Sequence, residues 1–266
     1  MFYRLVLFIF SFTIMTFSYS EDNFLEFGNV DFGRNFKEKS KWTLKSGLSY
    51  IRYPSAFPDL EGVHESIDGV EFNELNGYSL SIGRDFYIGN SFSSELSIRG
   101  HYARTIDKVV GYATEEIKVE FAETRTAHQF SALEAVFALN YIFDYKVIDL
   151  QPFFEIGLGS GTSESEKQYS RVGLPTETEG SESYDASVSE KFSFSQISLG
   201  LNLISYKGLM SYIRFSSMQM VKTFRETTGT NKVKGAATIF DISSKESSLN
   251  ESENVSVVSI GIGRYF

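Results

Sequence analysis

The last twelve residues, Val255 to Phe266 (VSVVSIGIGRYF), alternate in side-chain character along their whole length and stop on an aromatic. Val258, Ile260, Ile262 and Phe266 fall on one face, and Ser259, Gly261 and Gly263 on the other. Alternation this strict describes a strand whose two faces meet unlike environments. Nothing follows that strand in the chain, so Phe266 is expected to be part of the structure itself.

The opposite end points to export. Residues 1–20 hold one charge, Arg4, then an apolar run from Leu5 to Phe17, then Ser18-Tyr19-Ser20 ahead of Glu21-Asp22. A basic start, an apolar core of about 7–15 residues and small residues at the cleavage positions describe a secretory signal peptide. The run is too short for a membrane anchor, which needs about 20 apolar residues. Cleavage is expected after Ser20. Because Arg4 is the only charge removed, the net charge would move from −9 to −10.

Composition narrows the class. No cysteine is present, which excludes a lipid-attachment cysteine, a disulfide framework and a thiolate metal site. Fifteen tyrosines and 25 phenylalanines accompany an overall mildly hydrophilic chain, as expected of a barrel with an aromatic-rimmed outer band and a polar inside. No mature segment is apolar over the about 18 residues that a helical span requires. The acidic balance argues against nucleic acid as a partner.

Eight alternating runs can be read, at about 42–53, 75–87, 92–104, 128–143, 150–161, 192–204, 209–220 and 254–266. Each holds the roughly 9–11 residues that a tilted strand needs to cross a bilayer. The connections alternate in length. Short turns are expected at Ile88–Ser91, Asp144–Asp149 and Ser205–Gly208, and long polar loops at 54–74, 105–127, 162–191 and 221–253. Short periplasmic turns with long extracellular loops are the pattern of a transmembrane antiparallel up-and-down β-barrel. The expected organisation is a signal peptide at 1–20, a periplasmic lead-in at 21–41 and a barrel domain at 42–266.

One face of these strands carries Leu44, Leu48, Leu80, Ile82, Leu96, Ile98, Leu133, Phe137, Ile156, Leu158, Leu199 and Phe215; the other carries Lys45, Ser79, Ser81, Glu95, Arg99, Glu134, Asn140, Glu155, Asn202 and Arg214, with many glycines. An eight-stranded interior is only wide enough to be filled by side chains, so small residues suit the inner face. A soluble barrel would place the apolar face inside. The export signal, the loop asymmetry and the terminal aromatic decide for lipid outside. Aromatics of the apolar face are expected to form two girdles. Trp42, Phe86, Phe92, Tyr141, Phe143 and Phe154 would form the periplasmic one, and Tyr50, Tyr78 and Tyr102 the outer one.

The closing segment, with Val258, Ile260, Ile262, Tyr265 and Phe266, resembles the carboxy-terminal strand that the barrel-assembly machinery reads in bacterial outer-membrane proteins. The usual aromatic two residues before the end is replaced by Arg264. The run Gln151-Pro152-Phe153-Phe154-Glu155-Ile156-Gly157-Leu158-Gly159 is similar to the Pro-aromatic-x-x-x-Gly-x-Gly strand of small OmpA/OmpX-like barrels. The resemblance spans residue 42 to the end. It implies a Gram-negative outer-membrane location, lipid and lipopolysaccharide as surroundings, assembly machinery and periplasmic chaperones as partners, and a monomer. It specifies a fold and no activity, and no peptidoglycan-binding domain is expected after the last strand.

Lys45, Glu95, Arg99, Glu134, Glu155 and Arg214 form a balanced set of inner charges that must pair, because isolated buried ions are strongly disfavoured. They would act as a plug of ion pairs, or as a gate if a glutamate exchanged between Arg99 and Arg214. His101 and His128 sit near the outer ends of neighbouring strands. A register that places them opposite each other also opposes Glu95 and Glu134, whereas a slip of four residues puts Arg99 against Glu134 and is favoured. No metal site and no cofactor are expected, since two imidazoles alone rarely hold zinc. A lipid A-modifying enzyme would need a serine, a histidine and a carboxylate facing lipid, and both strand histidines face inward. The expected role is a non-enzymatic surface protein supporting envelope integrity and contacting a ligand or host surface through its loops. A small or gated pore is the first alternative and a lipid A-modifying enzyme the second.

Overall fold

The computed structural model describes residues 40–56, 71–88, 91–115, 118–145, 148–172, 182–205, 208–233 and 239–266. The segment 1–20, read as a signal peptide, and nearly all of the expected lead-in at 21–41 therefore lie outside the described residues. Among the described residues nine antiparallel strands follow in chain order: β1 (Ser40–Ala56), β2 (Glu71–Ile88), β3 (Phe92–Glu115), β4 (Lys118–Tyr141), β5 (Phe143–Tyr145), β6 (Ile148–Val172), β7 (Glu182–Ser205), β8 (Leu209–Val233) and β9 (Ile239–Tyr265). Eight of them form the ring. The three-residue β5 continues β4 beyond Ile142 and pairs only with the start of β6.

Closure is explicit in the pairing. Each ring strand bonds to the ring strands before and after it in sequence, β4 pairing with β6, and β9 returns to β1. Following partners from Trp42 through Arg84, Leu96, Phe137, Ile156, Ile197, Ser217 and Ser256 leads back to β1 at Arg52. The ring is thus staggered by the ten residues from Trp42 to Arg52. With about 3.3 Å of rise per residue and about 4.8 Å between strands, this stagger tilts the strands by about 40°. Paired backbone amides of Trp42 and Phe266, at 3.0 and 3.1 Å, extend the closing seam to the last residue.

The barrel is inside out at its short-turn end. Leu80, Ile98, Leu133, Leu158 and Leu199 point outward and keep 56–70% of their surface exposed. On the same strands Lys45, Glu95, Arg99, Glu134, Glu155 and Arg214 are buried. Such an arrangement is stable only with lipid outside, so the fold is a transmembrane barrel.

The strands are far longer than expected. The segments 105–127, 162–191 and 221–253, read from sequence as loops, are mostly paired strand: β3 and β4 stay in register to Glu115 opposite Lys118, β6 and β7 to Arg171 opposite Glu182, and β8 and β9 stay paired, across a register shift between Lys222 and Phe224, to Lys232 opposite Ile239. Beyond the apolar band both faces of these strands carry polar residues, so the two-residue hydrophobic period that reveals a strand fades. The barrel wall therefore continues past the membrane.

Inner glycines accommodate inner aromatics. A Cβ on Gly200 would collide with the Phe153 ring and the Ile213 carbonyl, and one on Gly261 with the Tyr212 ring, 2.6 Å away. Outward-facing Gly100 has nothing within 4 Å of that position. Gly200→Val is expected to destabilise the refolded barrel by about 1–3 kcal/mol through overpacking, and Gly100→Ala to leave it unchanged. Urea unfolding followed by heat-modifiable gel migration reads both.

Candidate functional site

The inward side chains fall into levels along the barrel axis. At the short-turn end Tyr265, Ile204 and Met210 pack together, and the Tyr265 hydroxyl donates to Asp85 Oδ2 at 3.1 Å. Glu95 lies close by. It accepts from Lys45 Nζ at 2.6 Å and from Thr43 Oγ1 at 2.9 Å. Tyr265 thus points inward, while Val258, Ile260, Ile262 and Phe266 face the outer side. Neither Asp85 nor this contact was expected from sequence, because Tyr265 read only as part of a terminal signal.

The next level is centred on Arg99. Its guanidinium donates to Glu134 Oε1 at 2.9 Å and to both oxygens of Glu155 at 2.9 Å. Arg214 stands 3.9 Å from Glu155 and donates to Ser259 at 3.1 Å. The register brings Arg99 opposite Glu134, and His101 opposite Ala132. His101 therefore sits 2.9 Å from Glu134, while His128, opposite Thr105, lies a level higher with Ser165 at 2.5 Å. Of the six charged residues, Arg99, Glu134, Glu155 and Arg214 share one network, and Lys45 and Glu95 form a separate pair.

Above the charges the interior turns apolar. Ile51, Leu75, Ala103, Phe130, Phe192, Phe194, Met218, Met220, Val255 and Val257 form one buried cluster, with Phe130 and Phe192 stacked at 5.3 Å. An inner face lined by charges and small residues alone was the expectation from sequence; the structure adds this apolar septum. At the same height the outer face turns polar. Arg52, Asn76, Arg104, Ser193, Gln219 and Ser256 are exposed beside the inward Ile51, Leu75, Ala103, Phe194, Met218 and Val257. The apolar residues change faces there, so every ring strand except β6, whose inward residues at this height are Gly161 and Ser163, is inside out below the septum and right side out at it.

A second ion cluster lies above the septum, within segments read as loops. Glu190 accepts from Arg225 Nε at 2.8 Å and pairs with Lys222 at 3.1 Å. Lys222 also pairs with Glu253 at 2.6 Å, and Arg225 with Glu251 at 2.7 Å. Burial works against the charge on Arg225, but the hydrogen bonds to Glu251 and Glu190 outweigh it and raise its pKa above the ordinary arginine value. The sequence signal that could have located this cluster is the inward series Ser163, Ser165 and Lys167, continuing the phase of Glu155.

The aromatics proposed for the girdles all lie on the outer side. Phe92 meets Tyr141 at 4.9 Å and Tyr141 meets Phe143 at 4.6 Å near the short turns. Trp42 and Phe86 flank Arg84, whose guanidinium carbon lies 5.5 and 5.7 Å from their ring centres. Tyr78 and Tyr102 pair at 5.3 Å toward the other end, where Tyr50 is half-buried. Phe154 stands opposite Leu139 and Leu199, among the aliphatic residues of the band.

Glu155→Ala would leave the Arg99 and Arg214 guanidinium groups sharing Glu134 in a buried site. Breaking a buried pair in this way typically costs about 3–5 kcal/mol. Urea unfolding of the barrel refolded in lipid vesicles should show a loss of that size, and a wild-type midpoint would mean that the network contributes nothing to stability.

No family model matches the chain, and no curated protein matches it. Solved structures similar to it include a major outer membrane protein from Thermus thermophilus, at 8% identity and a TM-score of 0.41, covering 85% of this chain and 99% of that one. Ail, the attachment invasion locus protein of Yersinia pestis, is similar at 10% identity and a TM-score of 0.32, covering 85% and 97% of the two chains. The outer membrane protein AlkL is similar at 11% identity and a TM-score of 0.34, covering 86% and 90%.

Proposed function

We propose that this chain is a non-enzymatic bacterial outer-membrane protein with a closed interior, which supports the envelope and makes its external contacts at the long-hairpin end. The apolar septum of Phe130, Phe192, Phe194, Met218 and Met220 carries this reading. It lies between the Arg99–Glu134–Glu155 network and the Glu190–Lys222–Arg225 cluster, so an ion would meet two layers of paired charge with an apolar layer between them. His101 is engaged with Glu134 and His128 with Ser165 inside the wall, away from any lipid substrate.

The outer end supplies a contact surface. Among the described residues, pairing of β3 with β2 stops at Ala103, and pairing of β9 with β1 stops at Ser256, although both strands run on toward the hairpin ends. The residues that join β1 to β2, at 57–70, lie outside the described residues. A strand edge in this place suits a partner that adds a strand of its own.

Planar-bilayer recordings of the refolded mature protein should be silent, for the wild type and for Arg214→Ala alike, once gel migration has established folding. Discrete openings whose frequency changes in the variant would transfer the assignment to a gated pore. Replacing 107–124 by a short turn should preserve heat-modifiable migration and abolish binding of the protein-bearing cells to their target surface. Lipid A from the same cells should keep its acylation pattern on mass spectrometry when His128 is replaced by Ala.

A further inference from the structure

The lipid-facing side of the wall carries a groove of about 770 Å³. Its floor is one hydrogen-bonded row across five strands, through Gly83, Ser97, Val136, Gly157 and Gln196. Four strand spacings make it about 19 Å long. Because the strands tilt, the row climbs from the short-turn interface toward the middle of the apolar band. Phe137 stands on the lower wall, while Ala135 and Ser195 leave the upper wall low. The lining is almost wholly apolar.

The lower end of the groove is different. Arg84 faces outward between Trp42 and Phe86, and its Nε and Nη2 donate to Ser40 Oγ at 3.1 and 2.8 Å. These contacts fix the plane of the guanidinium. No carboxylate pairs with it among the described residues, and this is a charge set just inside the apolar band. A cation there is tolerated at the interface but gains from an anion. A guanidinium held in place is suited to two-point recognition of a phosphate.

We propose that this groove is a binding site for one anionic phospholipid of the leaflet on the short-turn side. Its phosphate rests on Arg84 and one acyl chain follows the row past Phe137 and Ala135. The occupant is a membrane lipid rather than a soluble anion, because the cation stands at the end of an apolar groove on the lipid-facing wall. The proposal rests on the transmembrane fold and stands whether or not the interior conducts.

Trp42 is the only tryptophan of the chain and sits at the head of the groove, so it reports occupancy directly. The refolded mature protein would be placed in phosphatidylcholine vesicles doped with phosphatidylglycerol brominated near the headgroup end of the chain, or with equally brominated phosphatidylcholine. Brominated phosphatidylglycerol should quench Trp42 at about fivefold lower mole fraction than its zwitterionic counterpart, a preference of the size expected for one interfacial arginine. Arg84→Gln should bring the two curves together, and Ala135→Phe, which fills the groove from the lipid side, should do the same with Arg84 intact. Coincident curves in the wild type would overturn the proposal. So would a phosphatidylglycerol preference that survives Arg84→Gln, or one that survives Ala135→Phe in a barrel whose gel migration shows it folded.

Discussion

Closure of eight strands with a ten-residue stagger is the constraint from which the rest of this structure follows. It leaves an interior narrow enough for side chains to fill, and no backbone edge along the paired part of the seam. Every inward position is then a packing decision. Tyr212 occupies the space that Gly47 and Gly261 leave, Phe153 the space of Gly200, and Phe192 the space of Gly161. A charge turned inward meets the same wall and must find its counter-ion there. Arg99 satisfies two carboxylates at once because the register carries Glu134 beside it and the curvature brings Glu155 within reach.

The order of the levels matters as much as their content. An ion-pair layer that opens to water can exchange partners with it, whereas one covered by an apolar layer keeps its internal bonds. The septum covers the Arg99 network on the outer side, and the packing of Tyr265, Ile204 and Met210 covers it on the other. Low local polarity strengthens each bond in such a network and equally penalises any group left over. Arg214 is the less saturated member: its Nε has no hydrogen-bond partner, and its carboxylate is 3.9 Å away. If any charge of this layer moves, the packing places it there.

The crossing strands and their facing were legible because one face met lipid and the other met a crowded interior. Leu80, Ile82, Ser79 and Ser81 announce this alternation without help from any neighbour. The register of β3 on β4 was legible through chemistry, since opposing Arg99 to Glu134 removes a repulsive pair of glutamates. The upper wall was not legible, because there Thr, Ser, Glu and Lys occupy both faces and the two-residue period carries no contrast. The ion cluster of Glu190, Lys222 and Arg225 was lost with it. Tyr265 was missed for another reason: a residue read as a recognition signal was not also read as a packing residue.

The septum itself is written in the sequence as a change of phase. In β7, Ile197 and Leu199 are apolar at odd positions, and Phe192 and Phe194 at even ones. In β8, Phe215 gives way to Met218 and Met220 in the same manner. A strand that keeps its geometry while its apolar residues change faces has passed from one solvent to another, so the phase change marks the edge of the bilayer more sharply than any aromatic does. It also divides the energetics. Below the edge the outer residues exchange protein contacts for lipid contacts of similar polarity, and packing and ion pairing hold the ring together. Above it, the buried Phe, Met and Leu side chains are withdrawn from water, and the hydrophobic effect acts on them as in a soluble barrel. The projecting wall therefore has a core of its own, anchored on a membrane ring stabilised by other forces, and this is why polar strands can stand so far above the lipid as an ordered surface.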